Sequence, residues 1–260
     1  MPRSSVALNR LRACAILSLL AFHSVMAYLG SLPAAPYPFD TAPYRWAVHP
    51  MVDAQRWFGF DIFCAAQDIY LMSLMFFLSG VFVWPSLARR GEAAFLHGRL
   101  LRLCVPAALA AILLMPLAHY PTYRVTALDP GFATYWAHWR ALPFWPSGPP
   151  WFIWQLFVFN LGAAVLWAAA PGWGAWLAWL ASSARAEPMR YFVGLVVASA
   201  LAYLPLALYF GPWAWTEFGI FAFQLSRPLH YAVYFLAGVG IGAYGLERGL
   251  LAADGELARR

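Results

Sequence analysis

The stretch "LRACAILSLLAFHSVMAYLG" (residues 11–30) decides the fold, because its 20 residues include one charged side chain, Arg12, and one histidine, His23. A helix of about 20 apolar residues crosses a hydrocarbon core of about 30 Å. The stretch is not typical of a removable signal peptide, since it carries an arginine near its start and ends without a small-x-small cleavage site. It therefore predicts a transmembrane helix.

The composition extends this prediction to the whole chain. Of 260 residues, 63% are hydrophobic and 11% are charged, whereas about 25% of the residues of a soluble globular protein are charged. We expect an all-α, polytopic transmembrane helix bundle that forms one integral membrane domain over residues 1–260. The Trp-rich segment "GWGAWLAWL" (172–180) is too short to cross and is predicted to lie at the membrane interface. Hydropathy predicts about six spans, at 11–30, 66–87, 100–119, 151–170, 190–210 and 228–246.

The distribution of arginine predicts the orientation of the bundle. All 17 basic residues are arginine, and with the N-terminus inside, 12 fall in cytoplasmic segments and five outside. The positive-inside rule therefore places both termini in the cytoplasm. The two longest connections, 31–65 and 120–150, then face outward. Their content of Pro, Trp and Tyr suits loops that lie over a bilayer surface or bind a polar substrate.

Arg12 and His23 are the first pair of candidate functional residues. Eleven residues make about three helical turns, so the two side chains share one helix face, roughly 16 Å apart along the axis. A titratable group at the depth of His23 is costly, and it usually faces a bundle interior or a water-filled cavity where it has a function. Imidazole exchanges a proton readily near neutral pH. The structural alternative is a hydrogen bond between helices, for example to a serine hydroxyl.

Arg99 and Arg102 form the second candidate cluster. Their i, i+3 spacing in "ARRGEAAFLHGRLLRLCVP" (88–106) places them on one face at the cytoplasmic start of the third span. Two guanidinium groups that point the same way are suited to binding phosphate. The alternative is that they only satisfy the topology rule, or that they bind lipid phosphate.

The other polar residues give weaker expectations. Ser79 and Gly80 are typical of close helix contacts, and no nucleophile elbow surrounds Ser79. Gln155 and Asn160 are predicted to hydrogen bond between helices. No metal-ligand spacing is visible, so we expect no metal site and structural roles for the five other histidines. One carboxylate on the outward side could orient His23 or meet a sugar hydroxyl, and the candidates are Asp40, Asp53, Asp61, Asp68, Asp129 and Glu217.

In these motifs the chain resembles the acyltransferase 3 family of bacterial integral-membrane enzymes, which O-acylate sugars and other acceptors. The resemblance lies in the R-x10-H spacing of Arg12 and His23, and in four further stretches in the family's order. These stretches are "LMFFLSG" (74–80), "FLHGRLLRLCVP" (95–106), "PPWFIWQLFVFN" (149–160) and "HYAVYFLAGVGIG" (230–242).

The resemblance implies a cytoplasmic acyl-CoA donor, no permanently bound cofactor, and an acceptor reached from the periplasmic side of a bacterial inner membrane. It implies that His23 is the essential histidine and that Arg12, Arg99 and Arg102 hold the acyl-CoA. The family core has about ten spans. We therefore expect the chain to be truncated at its C-terminus, completed by a second chain, or a shortened relative.

The resulting hypothesis is a membrane acyltransferase that moves an acetyl or similar group from acyl-CoA to a hydroxyl of a glycan or another periplasmic acceptor. His23 takes the proton of the acceptor hydroxyl, or carries the acyl group transiently. The expected partners are the lipid bilayer, acyl-CoA and the acceptor, without nucleic acid. The alternatives are a transporter or flippase-like protein for a lipid-linked sugar, and an inactive fragment. The acyl group, the acceptor and the oligomeric state stay open.

Overall fold

The computed structural model describes residues 3–170 and 172–248. These residues are mostly helical, and their only paired strands form one hairpin. The first helices are α1 (Arg3–Val25), α2 (Phe58–Gly80), α3 (Val83–Arg90), α4 (Glu92–Arg99), α5 (Val105–Leu109), α6 (Met115–Thr126) and α7 (Phe132–Ala141). They are followed by α8 (Trp151–Ala169), α9 (Trp173–Ala186), α10 (Pro188–Phe210), β1 (Trp215–Phe218), β2 (Phe221–Gln224) and α11 (Pro228–Tyr244). Short 3-10 turns lie at Met26–Tyr28 and Arg45–Ala47.

The predicted all-α transmembrane bundle is confirmed. Five helical stretches in the described residues are long and apolar enough to cross a membrane. They are Val6–Tyr28, Phe58–Arg90, Glu92–Thr126, Trp151–Ala169 and Pro188–Phe210. The sixth predicted span coincides with α11, whose 17 residues give a helix of about 26 Å, slightly short of the core of about 30 Å.

The second span begins earlier than predicted, at Phe58 instead of residue 66. Polar side chains in this part of the sequence lower its hydropathy, but the structure gives them partners. The Asp61 carboxylate accepts a hydrogen bond from the backbone N–H of Gly30, at 2.6 Å. Because the charge of Asp61 is satisfied in this way, the helix extends outward past it to Phe58.

The third span is also longer than predicted, and it stays continuous through its prolines because of two π-helical segments. Leu100–Cys104 lies just before Pro106, and Ala110–Leu114 lies just before Pro116. Proline has no N–H to donate, and its ring crowds the carbonyl four residues earlier. A wider π turn relieves that crowding without ending the helix.

The helices define two ends of the bundle. Helices α1 and α2 are antiparallel, since Arg12 packs on Phe82, and Gly30 lies against Phe58. The arginine end carries Arg12, Arg90, Arg99 and Arg102. The hairpin end carries the β1–β2 hairpin and the connections 31–57 and 127–150.

Helix α11 packs parallel to α2 along the centre of the bundle. Their backbones touch, because a Cβ atom at Gly80 would overlap with the carbonyl of Phe235, and one at Gly238 with that of Phe77. The predicted close contact at Gly80 is therefore confirmed. Around it lies the largest apolar core, which includes Phe76, Leu156, Tyr231, Phe235 and Val239.

The two ends are closed differently. At the arginine end, α9 packs against α11, with the Leu177 carbonyl 2.8 Å from the position of a Cβ at Gly240. Helix α9 is too short to count as a span, as predicted for this Trp-rich segment. At the hairpin end, the two long connections join in an aromatic cluster of Phe39, Trp46, Tyr123, Tyr135 and Trp139. Gly219 has a φ of 58° and allows the tight turn between β1 and β2.

Candidate functional site

Arg12 and His23 lie on one uninterrupted helix, α1, as the sequence predicts. The buried stripe of α1 includes Leu8 and Ala15 and packs on α2. The side chain of Arg12 lies near this stripe and is half-buried, whereas that of His23 is exposed. The described residues therefore do not enclose the imidazole in a bundle interior.

The orientation of the His23 ring is fixed by its own helix. Its Nδ1 atom lies 2.8 Å from the carbonyl oxygen of Leu19, and its edge contacts the Phe22 ring. Since a carbonyl oxygen can only accept, the neutral ring carries its proton on Nδ1. The lone pair on Nε2 is then directed away from the helix. No carboxylate among the described residues pairs with His23. This arrangement leaves Nε2 able to accept a proton from an approaching group.

Arg12 is held by an aromatic ring at the arginine end. Its guanidinium carbon lies 4.1 Å from the centroid of the Phe82 ring, between α2 and α3. A cation over an aromatic face is attracted to it, more strongly where water is excluded. The contact holds the guanidinium group of Arg12 against Phe82, just beyond the end of α2.

Arg99 and Arg102 lie where the first π segment begins. Arg99 is the last residue of α4 and stands over the Phe95 ring at 5.1 Å, and Arg102 belongs to the π turn. The wider turn rotates the two side chains further apart than an i, i+3 pair on an α-helix. Arg99 is consequently half-buried and Arg102 is exposed.

Four arginines gather at this end. Arg99 interacts electrostatically with Arg12, Arg102 and Arg90, all of like charge. Within the described ranges, no carboxylate lies within ion-pair distance of any of the four. Cations that lie near one another on α1, α3, α4 and a π turn favour the binding of an anion with several charges, such as a polyphosphate.

Sequence reasoning missed a second polar centre nearer the hairpin end. Arg227 donates two hydrogen bonds to the Asp68 carboxylate, one of them at 2.8 Å, and a weaker one to the Tyr231 hydroxyl. Burial is the largest single influence and opposes the charge of Arg227, but the hydrogen bonds that Arg227 donates to Asp68 and Tyr231, together with the charges of these two groups, raise the pKa of Arg227. Asp68 is therefore the partner of Arg227 and does not orient His23.

His230 belongs to the same centre, one turn further along α11. Its Nε2 lies 3.0 Å from Ser73 Oγ and its Nδ1 lies 2.8 Å from Ser199 Oγ. The imidazole thus connects α2, α10 and α11. The signal in the sequence was the spacing of Arg227 and His230, but their partners lie far away in the chain.

Two other polar predictions turn out differently. The Asn160 side chain donates to the Leu156 carbonyl of its own helix, at 2.7 Å, rather than to another helix. Gln155 Nε2 is buried and has no partner among the residues that the structure describes. Both side chains are buried.

Comparison with known proteins shows the family to which the chain is similar. A family model described as "Acyltransferase domain", that of the acyltransferase 3 family, matches residues 5–252, which is nearly the whole chain. No curated protein and no solved structure gives a significant match.

Proposed function

The chain belongs to the acyltransferase 3 family, and we propose that it transfers an acyl group from acyl-CoA, bound at the arginine end, to a hydroxyl of a glycan or a similar acceptor. In this proposal the arginine end faces the cytoplasm of a bacterium, both termini are cytoplasmic, and the bundle lies in the inner membrane. Acyl-CoA is a substrate here and not a resident cofactor.

The observation that carries the proposal is the arginine cluster, which has no carboxylate partner among the residues that the structure describes. Coenzyme A has a 3′-phosphate and a diphosphate, so a set of neighbouring guanidinium groups matches its charge. Arg99 contributes a half-buried cation, and Arg102 an exposed one. Arg12, which Phe82 holds in place, adds a third from α1. Cations held in this way attract an anion without first having to release a bound carboxylate.

His23 supplies the second part of the proposal. It lies about three turns from Arg12 on the same face of α1, at roughly 16 Å, a distance that an extended pantetheine arm can span. When the acceptor oxygen attacks the thioester carbonyl, the imidazole Nε2 takes the hydroxyl proton. The new C–O bond forms as the C–S bond breaks, and coenzyme A leaves as the thiolate. Transient acylation of His23 is the alternative route.

The role of His23 is tested by the His23→Ala variant in membranes supplied with radiolabelled acetyl-CoA. General-base catalysis contributes about 10²–10⁴-fold, so we expect transfer to fall by a factor in this range while the protein accumulates normally. Ser24→Ala is the matched control, because Ser24 is the exposed neighbour of His23 and hydrogen bonds to its own helix in the same way. Undiminished transfer in His23→Ala would exclude the imidazole from the chemical step.

The role of the arginines is tested by equilibrium binding of acetyl-CoA to the purified protein. A hydrogen bond to a charged group contributes about 1.5–3 kcal/mol, so we expect Arg99→Gln or Arg102→Gln to raise Kd by about 10-fold or more. Arg190→Gln is the control, because Arg190 is paired with Glu187 at 2.5 Å. Equal donor affinity in all three variants would assign the cluster to topology or lipid binding.

The same assays separate the rival functions. A transporter of a lipid-linked sugar would move its cargo without consuming acetyl-CoA, and an inactive fragment would bind the donor without forming product. Appearance of free coenzyme A together with acylated acceptor therefore supports the proposal. If the wild-type protein binds acetyl-CoA but forms neither product, the chain is an inactive fragment.

A further inference from the structure

The second polar centre, formed where α2, α10 and α11 meet, has no part in the donor site. His230 is the third residue of α11, one turn from the hairpin end, and its imidazole is half-buried. Ser73 and Ser199 are buried and occupy its two ring nitrogens at 3.0 Å and 2.8 Å. Because both ring nitrogens are hydrogen bonded to these hydroxyl groups, the imidazole of His230 is held in one orientation.

The contact between α2 and α11 does not depend on this polar centre. Helices α2 and α11 are already held by backbone contact at Gly80 and Gly238, toward the arginine end of the pair. An imidazole and two hydroxyl groups at this depth are costly to bury compared with apolar side chains of similar size. A titratable side chain in a membrane-spanning bundle is by default a candidate for a function in binding or chemistry.

Two phenol groups next to His230 are available to a ligand. The rings of Tyr203 and Tyr234 lie 5.7 Å and 5.1 Å from the imidazole, centroid to centroid. Both side chains are half-buried. Neither hydroxyl group has a hydrogen-bond partner in the part of the chain that the structure describes. Each can therefore donate to and accept from an external group without breaking an existing bond.

The charge of this centre differs from that of the arginine end. Arg227 is neutralised by Asp68, through two hydrogen bonds. The remaining groups are hydroxyls, phenols and one imidazole, which suit uncharged partners. The guanidinium group of Arg227 lies over one face of the Trp213 ring, and since the Trp213 side chain is 68% exposed, its other face extends the centre. Aromatic faces and hydroxyl groups together match the apolar C–H faces and the hydroxyl groups of a sugar.

We propose that this centre binds the acceptor, and that the acceptor is an uncharged carbohydrate. Tyr203 and Tyr234 contact its hydroxyl groups, Trp213 packs against its ring, and His230 is a positioning residue held by Ser73 and Ser199. The proposal rests on the proposed acyl transfer, since it assigns the second substrate of that reaction. It divides the bundle into an anion site at the arginine end and a neutral site near the hairpin end.

The test is binding of sugars to the purified full chain, measured by thermal stabilisation. The probes are neutral trisaccharides of the gluco, galacto and manno series and a trigalacturonate of the same length. We expect at least one neutral trisaccharide to stabilise the protein and the anionic one to have a weaker effect. Tyr203→Phe and Tyr234→Phe, which remove only a hydroxyl group, should weaken that binding by about 5–10-fold each.

Tyr209→Phe is the matched control, because Tyr209 lies on α10 like Tyr203 but is 82% exposed. Its affinity for the sugar should equal that of the unmodified protein, and acetyl-CoA affinity should be unchanged in all three variants. If no neutral trisaccharide binds, if trigalacturonate binds better, or if the two phenol variants bind like the control, the proposal is wrong. Acetyl-CoA binding in the same samples is measured separately. Failure of the proposed donor site can therefore be distinguished from failure of the proposed acceptor site.

Discussion

The guanidinium group of Arg12 lies 4.1 Å from the centroid of the Phe82 ring, and this contact joins the start of α1 to the end of α2. It holds one of the four converging arginines in a fixed place. A side chain that is ordered before the ligand arrives loses less conformational entropy on binding. The ring at position 82 is therefore expected to affect the affinity for acyl-CoA without contacting it.

Replacing Phe82 by leucine should weaken donor binding. The change keeps apolar volume but removes the aromatic face, which contributes about 0.5–2 kcal/mol to a cation. We expect Kd for acetyl-CoA to rise by about 2–10-fold, less than for Arg12→Gln, and the double variant to resemble Arg12→Gln alone. Isothermal titration measures the three values. Phe58→Leu, at the opposite end of α2, serves as the control, and additive effects of the two changes would separate Phe82 from Arg12.

The ion pair of Arg227 and Asp68 should stabilise the bundle mainly by avoiding an unpaired charge. The side chains are 12% and 31% exposed, so Asp68→Asn leaves Arg227 nearly buried without its partner. We expect a loss of about 2–4 kcal/mol in the free energy of unfolding, somewhat less than for a fully buried pair. Titration with a denaturing detergent measures it.

An exposed ion pair elsewhere in the chain is the control for this prediction, and a double variant that removes both charges tests it further. Glu187→Gln breaks an exposed pair with Arg190 and should cost at most about 0.5 kcal/mol. The double variant Asp68→Leu with Arg227→Met should recover most of the stability, because two apolar groups replace two charges. A double variant as unstable as Asp68→Asn would indicate that the pair has a net stabilising effect of its own.

The backbone contact of α2 and α11 should not tolerate a methyl group. In Gly238→Ala the new Cβ would overlap with the carbonyl oxygen of Phe77, which cannot move without shifting α2. We expect a marked loss of folded protein, on the scale of overpacked cores, about 1–3 kcal/mol or more. Gly162→Ala is the matched control in α8, where nothing lies within 4 Å of the new atom. It should be neutral or stabilising by up to about 1 kcal/mol. Equal stability of the two variants would contradict the close packing.

Hydropathy predicted which parts of the chain cross the membrane, because long apolar runs have few alternatives to a spanning helix. The predicted start of the second span is too late, because Asp61 lowers the hydropathy of the residues before position 66. The partner of Asp61, the backbone N–H of Gly30, cannot be identified from periodicity. The hairpin after α10 was also not predicted.

In the candidate site, too, spacings within one helix are predictable from the sequence, whereas contacts between distant segments are not. The Arg12 and His23 pair lies on one helix, so helical geometry alone fixes its spacing. The convergence of Arg12 with Arg99 required the tertiary fold. The ring of His230 was assigned a structural role, since nothing in the local sequence indicates that Ser73 and Ser199, both distant in the chain, lie against it.

Asp129 gives a pH-dependent prediction at the start of α7. Its carboxylate accepts hydrogen bonds from the Thr134 hydroxyl and from the N–H of Gly131, and these bonds lower the pKa of Asp129. Because the folded state favours the ionised form, the contribution to stability is present above the ordinary pKa of aspartate, about 3.9. It is lost as the pH falls through the lower value of the folded state.

We expect amide exchange in the first turn of α7, measured relative to that in α8, to be protected at pH 5 and faster at pH 3. Thr134→Val should reduce the protection at pH 5, while Asp129→Asn should make it independent of pH between these values. A pH response that persists in Asp129→Asn would assign it to another group, such as the neighbouring pair of His138 and Asp40.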